Sequence, residues 1–151
     1  QPTLVEFVKW VATAAEFVVL AASILATGAI LVAGFLEVVP GAIIMTVGDR
    51  TRGLVKVFSG LDLILLSPMA FVAVNAILDY FQAVRSGNDL AKAQKSFVHA
   101  KSLLMGLLVA AIAVHLGELI LVGGAEPWQQ VAVHCVVVVV LGGYGVAMER
   151  S

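Results

Sequence analysis

Charged residues in this chain are confined to short clusters that separate four long apolar stretches. From Phe17 to Leu36 no charge occurs, with Glu16 and Glu37 bracketing the run. About 20 apolar residues at about 1.5 Å each cross a hydrocarbon core of about 30 Å, so a spanning helix is predicted over about residues 14–36. The second stretch, about 54–79, carries Lys56 and Asp62 before its terminal Asp79, and Pro68, which removes a helical hydrogen bond and predicts a bend. The third, about 102–122, holds His115 and Glu118 and stops at Gly123-Gly124; the fourth, about 127–148, opens on Pro127, suited to a first helical turn, with Glu126 at the positive helix end. Only about five residues join the third and fourth stretches, which predicts a tight antiparallel hairpin.

Two longer connections are predicted as loops, about 37–53 and about 80–101. The first contains Pro40, Gly41, Gly48, Gly53 and the polar run Asp49-Arg50-Thr51-Arg52, with Ala42 to Val47 placed along the interface. The second contains Arg85, Ser86, Gly87, Asn88 and Asp89, then Lys92, Lys95 and Lys101 at near-helical spacing: a turn and a short basic helix with a solvated face. Residues 3–15 mix Val5, Phe7, Val8, Trp10 and Val11 with Glu6 and Lys9, and read equally as an interfacial lead-in or an extension of the first span. Trp10 and Trp128 fall where aromatic side chains meet the headgroups.

Composition agrees with lipid as the surrounding solvent. The 151 residues are 61% hydrophobic and 13% charged, with a mean hydropathy of +1.05, whereas soluble domains are roughly a quarter charged. The expectation is an all-α polytopic membrane protein, one domain over residues 1–151, folded as a four-transmembrane-helix bundle. A formal charge of −1 on so apolar a chain argues against nucleic acid as a partner. No phosphate-binding glycine loop, nucleophile triad or paired cysteines occur, so no enzyme activity is expected. Cys135 is alone in a valine run and is expected to be a buried, inert thiol. The first residue, Gln1, suggests a processed or trimmed start. With four spans both ends share one side, which receives Lys9, Arg85, Lys92, Lys95, Lys101 and Arg150, against Arg50, Arg52 and Lys56 on the other. The excess of basic residues directs both termini to the cytoplasm or the plastid stroma.

Inside the apolar stretches the ionisable residues fall at one depth. Asp62 lies six residues from Lys56, His115 seven from Val122 and His134 six from Trp128, about 9–10 Å into the membrane from the side opposite the termini. Glu118 is one turn from His115 on the same face. A charge in hydrocarbon costs from about 2.5 kcal/mol upward, so these side chains should face one another or a wet cavity. The default reading is a hydrogen-bonded cluster that fixes the rotation of three spans, each bond contributing about 0.6–2 kcal/mol. The alternatives are a proton or ion path, a metal held by His115, His134 and Asp62, or haem with the two histidines as axial ligands. On the default reading no metal and no cofactor is assigned. The path is opposed by the scarcity of further acids and bases on these spans.

Small residues form a second pattern. Ser102, Gly106 and Ala110 recur every four positions, as do Ala113 and Gly117, and Ala22 and Ala26, while the last span carries Gly142, Gly143 and Gly145. Such stripes let helix backbones approach closely. They are expected to pack helices within the chain or against another subunit, with a homo-oligomer also compatible.

Three stretches, FSGLDLILLSPMAFVAVN, AKSLLMGLLVAAIAVHLGELI and WQQVAVHCVVVVVLGGYGVAMER, place an acidic residue early in the second span and one histidine in each of the last two. In this the chain resembles the YqhA-like small membrane proteins of bacteria and of plant and algal plastids. The resemblance covers about residues 54–150, and the first span by hydropathy alone. By position, the polar residues it carries over are Asp62, Ser102, His115 and His134, with Glu149-Arg150 at the end; Glu118 departs from it, standing where the bacterial pattern has a basic residue. The resemblance implies a fold and a membrane address, and the processed start with the Ala, Val and Gly bias suits a plastid member. The resulting expectation is a non-enzymatic structural or accessory subunit of a larger complex of the plastid inner envelope, with a protein-import translocon as the first assembly to consider. A bacterial inner membrane is the alternative location, and a channel or carrier for protons, ions or small solutes the alternative function.

Overall fold

The computed structural model describes residues 3–87 and 90–150. Asn88 and Asp89 of the second expected loop lie outside the described residues, as do the side chains of Lys92, Gly145, Glu149 and Arg150. The chain is all-α, built from α1 (Leu4–Thr46), α2 (Arg50–Arg85), α3 (Leu90–Leu121) and α4 (Glu126–Arg150). All four are long and apolar enough to cross a membrane. The exposure of Phe17, Leu25 and Leu36 on α1, and of Val136, Val139 and Val140 on α4, is what lipid-facing surfaces require.

The helices overrun the predicted spans. At about 1.5 Å per residue the 43 residues of α1 extend about 65 Å, twice the hydrocarbon thickness. Residues 3–15 therefore continue the first helix. Its start is fixed by a capping box, in which the Glu6 N–H donates to Thr3 Oγ1 (3.3 Å) and the Thr3 N–H to Glu6 Oε2 (2.9 Å). Most of the expected 37–53 loop is also helical, only residues 47–49 lying between α1 and α2. Gly48, with φ of 111°, makes that turn, and the Asp49 side chain caps α2 by accepting from the Arg52 N–H (3.2 Å). Pro40 lies inside α1 and Pro68 inside α2 without ending either helix. The expected loop at 80–101 shrinks likewise, because α2 runs to Arg85 and Lys95 and Lys101 belong to the same helix as the third span. The hairpin between α3 and α4 is as tight as expected, its chain reversal carried by Gly123 and Gly124 at φ of 80° and 112°.

Glycines of the expected first loop have a different use. Gly34 and Gly41 of α1 and Gly53, Gly60 and Ser67 of α2 are all buried, at seven-residue intervals on each helix. Antiparallel pairing sets Gly41 against Gly53 and Gly34 against Gly60, and the Ser67 hydroxyl donates to the Thr27 carbonyl at 2.9 Å. A Cβ on Gly34 would stand 2.8 Å from the Gly60 carbonyl oxygen, and one on Gly41 2.9 Å from that of Gly53. Backbone therefore lies on backbone along this seam, and the seven-residue repeat is that of a left-handed supercoil. Ion pairs flank the seam, Lys56 with Glu37 at 3.4 Å and Arg85 with Glu16 at 2.8 Å. Glu16 and Glu37 are about 31 Å apart along α1, which matches one hydrocarbon core.

The small residues expected to pack the third and fourth spans behave differently. Gly117 faces the Phe58 ring (3.5 Å from an added Cβ) and Gly142 faces Met105 (3.9 Å), but Gly106 and Gly143 have open space around them. Ser102 is exposed and bonds only its own helix, donating to the Val98 carbonyl at 3.1 Å, and Ala110 is half-buried. Within the chain the buried face of α3 is instead Ala100, Leu108, Ala111 and His115, on nearly the opposite side of the helix from the Ser102–Gly106–Ala110 stripe. Cys135 is exposed on α4 and not buried as expected, because the valine run has no neighbour on that face. Among the described residues, close backbone contacts join only helices adjacent in sequence, and none joins α1 to α4.

Candidate intramembrane polar site

The ionisable residues of the spans come together where α2, α3 and α4 converge near the α3–α4 hairpin. His115 is six residues before the end of α3 and His134 eight after the start of α4, about 9–12 Å from that edge. Asp62 reaches them from α2, one turn beyond the Phe58 ring that packs on Gly117. One ligand atom from each of Asp62, His115 and His134 lies within 4.8 Å of the other two. The common depth read from residue spacing is therefore a real meeting point.

His115 is the centre of the group, only 4% exposed. Its Nε2 is 3.1 Å from Asp62 Oδ1 and its Nδ1 3.6 Å from Glu118 Oε2. Neither contact has hydrogen-bond geometry, so both ring nitrogens are buried without a directed partner. Glu118 thus joins the cluster through the face it shares with His115. His134 is held differently. Its Nδ1 lies 2.6 Å from the Gln130 carbonyl oxygen, and since a carbonyl only accepts, Nδ1 must carry the proton. That tautomer leaves the Nε2 lone pair of His134 free. The two imidazoles have centroids 5.1 Å apart and planes tilted by 45°. This leaves no slot for a flat macrocycle between them, so a haem with both as axial ligands does not fit.

The site is enclosed unevenly. Ala111 and Val131, about one turn from His115 and His134, are buried, while the Asp62 side chain is 38% exposed. Trp10 and Trp128 are both largely exposed, at opposite ends of the molecule from one another, as expected for headgroup contacts. Two features escaped the sequence reading. One is the glycine seam, whose signal was the seven-residue spacing of Gly34 and Gly41 and of Gly53, Gly60 and Ser67. The other is an apolar cavity of about 650 Å³ between α2, α3 and α4 on the terminal side, lined by Tyr80, Phe97 and Tyr144 among others, for which one sequence holds no signal. Comparison with family models, with curated proteins and with solved structures returned no match.

Proposed function

We propose that this multi-pass membrane protein is a non-enzymatic structural or accessory subunit of a larger membrane complex. The observation that carries the reading is the set of helix faces at Gly28, Gly106 and Gly143 that have no neighbour within 4 Å, with no close backbone contact between α1 and α4 among the described residues. Bare glycine faces in lipid accept another helix at close range, where dispersion and weak Cα–H bonds add up. Helix ends beyond the hydrocarbon supply further contact for partners on both sides. The resemblance of residues 54–150 to a family with plastid members supports the plastid inner envelope as the location, with the termini in the stroma on the basic-residue bias. A protein-import translocon is the assembly we place it in first.

The test is purification of the chain from its native membrane in mild detergent. Stoichiometric co-purification of larger membrane subunits is expected; a monodisperse homo-oligomer with no other chain would overturn the reading. A second reading, a carrier or channel for protons, ions or small solutes, is favoured by one observation, the undirected and buried His115 beside Asp62. Flux into liposomes reconstituted with the pure chain, abolished by Asp62→Asn, would support it.

A further inference from the structure

The polar cluster asks for something that protein groups do not supply. Asp62 and Glu118 bring two carboxylates to the buried His115, both of whose ring nitrogens lack directed partners. Buried polar atoms in this condition are rare and call for an occupant. A single dication would meet the carboxylate oxygens and the imidazole lone pairs together.

We infer that Asp62, His115 and His134 form an intramembrane site for a divalent first-row transition ion of the zinc class. Imidazole and carboxylate donors suit such ions, and three protein ligands leave one tetrahedral position open. On His134, donation from Nδ1 to the Gln130 carbonyl leaves Nε2 as the nitrogen available to coordinate. His115 lacks such a bond, but Glu118 Oε2 stands 3.6 Å from its Nδ1, where a small side-chain shift would supply one, and Asp62 Oδ1 is 3.1 Å from its Nε2. A carboxylate behind a metal-bound imidazole orients it and raises its basicity. Donor atoms around a tetrahedral zinc ion stand about 3.3–3.5 Å from one another. The Asp62–His115 contact of 3.1 Å is close to this value, and the 4.8 Å limit for the three donors requires closure by roughly 1.4 Å at most. Because the Asp62–His115 pair is already close, that closure falls to the donors on either side of His134, whose side chain and that of Asp62 are both half-buried. The site is independent of whether the chain has protein partners.

The experiment uses the full chain in mild detergent, stripped with a chelator, re-exposed to Zn²⁺ alone and assayed by elemental mass spectrometry and by competition with a chromogenic chelator. Co²⁺ is added in parallel for its ligand-field spectrum. One Zn²⁺ per chain and a tetrahedral Co²⁺ spectrum are expected. Affinity should fall at least about 100-fold in His134→Ala and Asp62→Asn, and about tenfold in Glu118→Gln, which removes only the outer partner. His99→Ala is the control, because His99 is exposed on α3 about 24 Å from His115 along the helix. Substitution of the buried His115 can unfold the site, so the decision rests on His134→Ala and on the isosteric Asp62→Asn, each checked for native helix content. Folded wild-type chain that retains no zinc overturns the inference. So does zinc held equally by Asp62→Asn, or lost in His99→Ala.

Discussion

Substitution of Gly60 by alanine should separate α1 from α2, and the coordinates set the size of the effect. The new Cβ would stand 2.5 Å from the Gly34 carbonyl oxygen, 2.6 Å from Val38 Cγ2 and 2.8 Å from the Val38 nitrogen. Two of these three atoms are backbone and cannot rotate away. Ordinary contact begins near 3.4 Å, so α1 must retreat by about 0.6–0.9 Å. That movement also stretches the neighbouring Ser67–Thr27 hydrogen bond, now 2.9 Å. Overpacking of this kind costs about 1–3 kcal/mol. Alanine gains up to about 1 kcal/mol in helix propensity over glycine, which partly conceals the loss. Gly106→Ala is the reference, since nothing lies within 4 Å of that site and it carries the propensity gain alone. In reversible SDS unfolding followed by circular dichroism, Gly60→Ala should be less stable than Gly106→Ala by about 1–3 kcal/mol. Gly34→Ala presses on the same seam from the other side, so the double variant should lose less than the sum of the two. Equal stability of Gly60→Ala and Gly106→Ala would refute the close backbone seam.

Three further outcomes are expected. Gly123→Ala, at φ of 80°, places a side chain in the left-handed region and should cost about 1–2 kcal/mol in the same unfolding assay, whereas Ala125→Gly in the same connection should cost little. Glu16→Gln leaves Arg85 without its 2.8 Å partner, and because the Arg85 side chain is about one third exposed the loss should not exceed about 1 kcal/mol, shrinking further at high salt. A membrane-impermeant maleimide should label Cys135 in unfolded chain far faster than in bilayers, because its exposed face of α4 lies in lipid, out of reach of an aqueous reagent; equal rates would place Cys135 in water.

Much of this architecture is legible in the sequence because lipid imposes a simple rule: every backbone group is satisfied within a helix, and a run of uncharged residues long enough to cross is a helix. Phe17 to Leu36 is such a run, and Gly123-Gly124 before Glu126-Pro127 marks a reversal by the same signals used in soluble proteins. The depth rule worked for Asp62, His115 and His134 because each could be measured from one edge of the membrane. Pro40, Gly41 and Gly53 misled for the opposite reason. In water they punctuate helices, but in lipid glycine is the residue that lets two backbones touch, and proline is tolerated where neighbours cover the freed carbonyl. Four-residue stripes on α3 drew attention away from the seven-residue repeat that joins α1 and α2. The inward face of α3 was legible at His115 through its charge but not along the apolar length of the helix, where Ala110 and Ala111 are chemically identical and only Ala111 is buried.

The gathering of Asp62, His115 and His134 between three helices is open to direct observation by solid-state NMR of the ¹³C,¹⁵N-labelled chain in lipid bilayers, with the chain's 3 histidines few enough to resolve. The predicted spectrum shows through-space correlations between the His115 and His134 rings and from both to the Asp62 carboxyl carbon, with the proton of His134 on Nδ1. Imidazole signals correlated only with lipid acyl chains, and a His134 proton on Nε2, would contradict it.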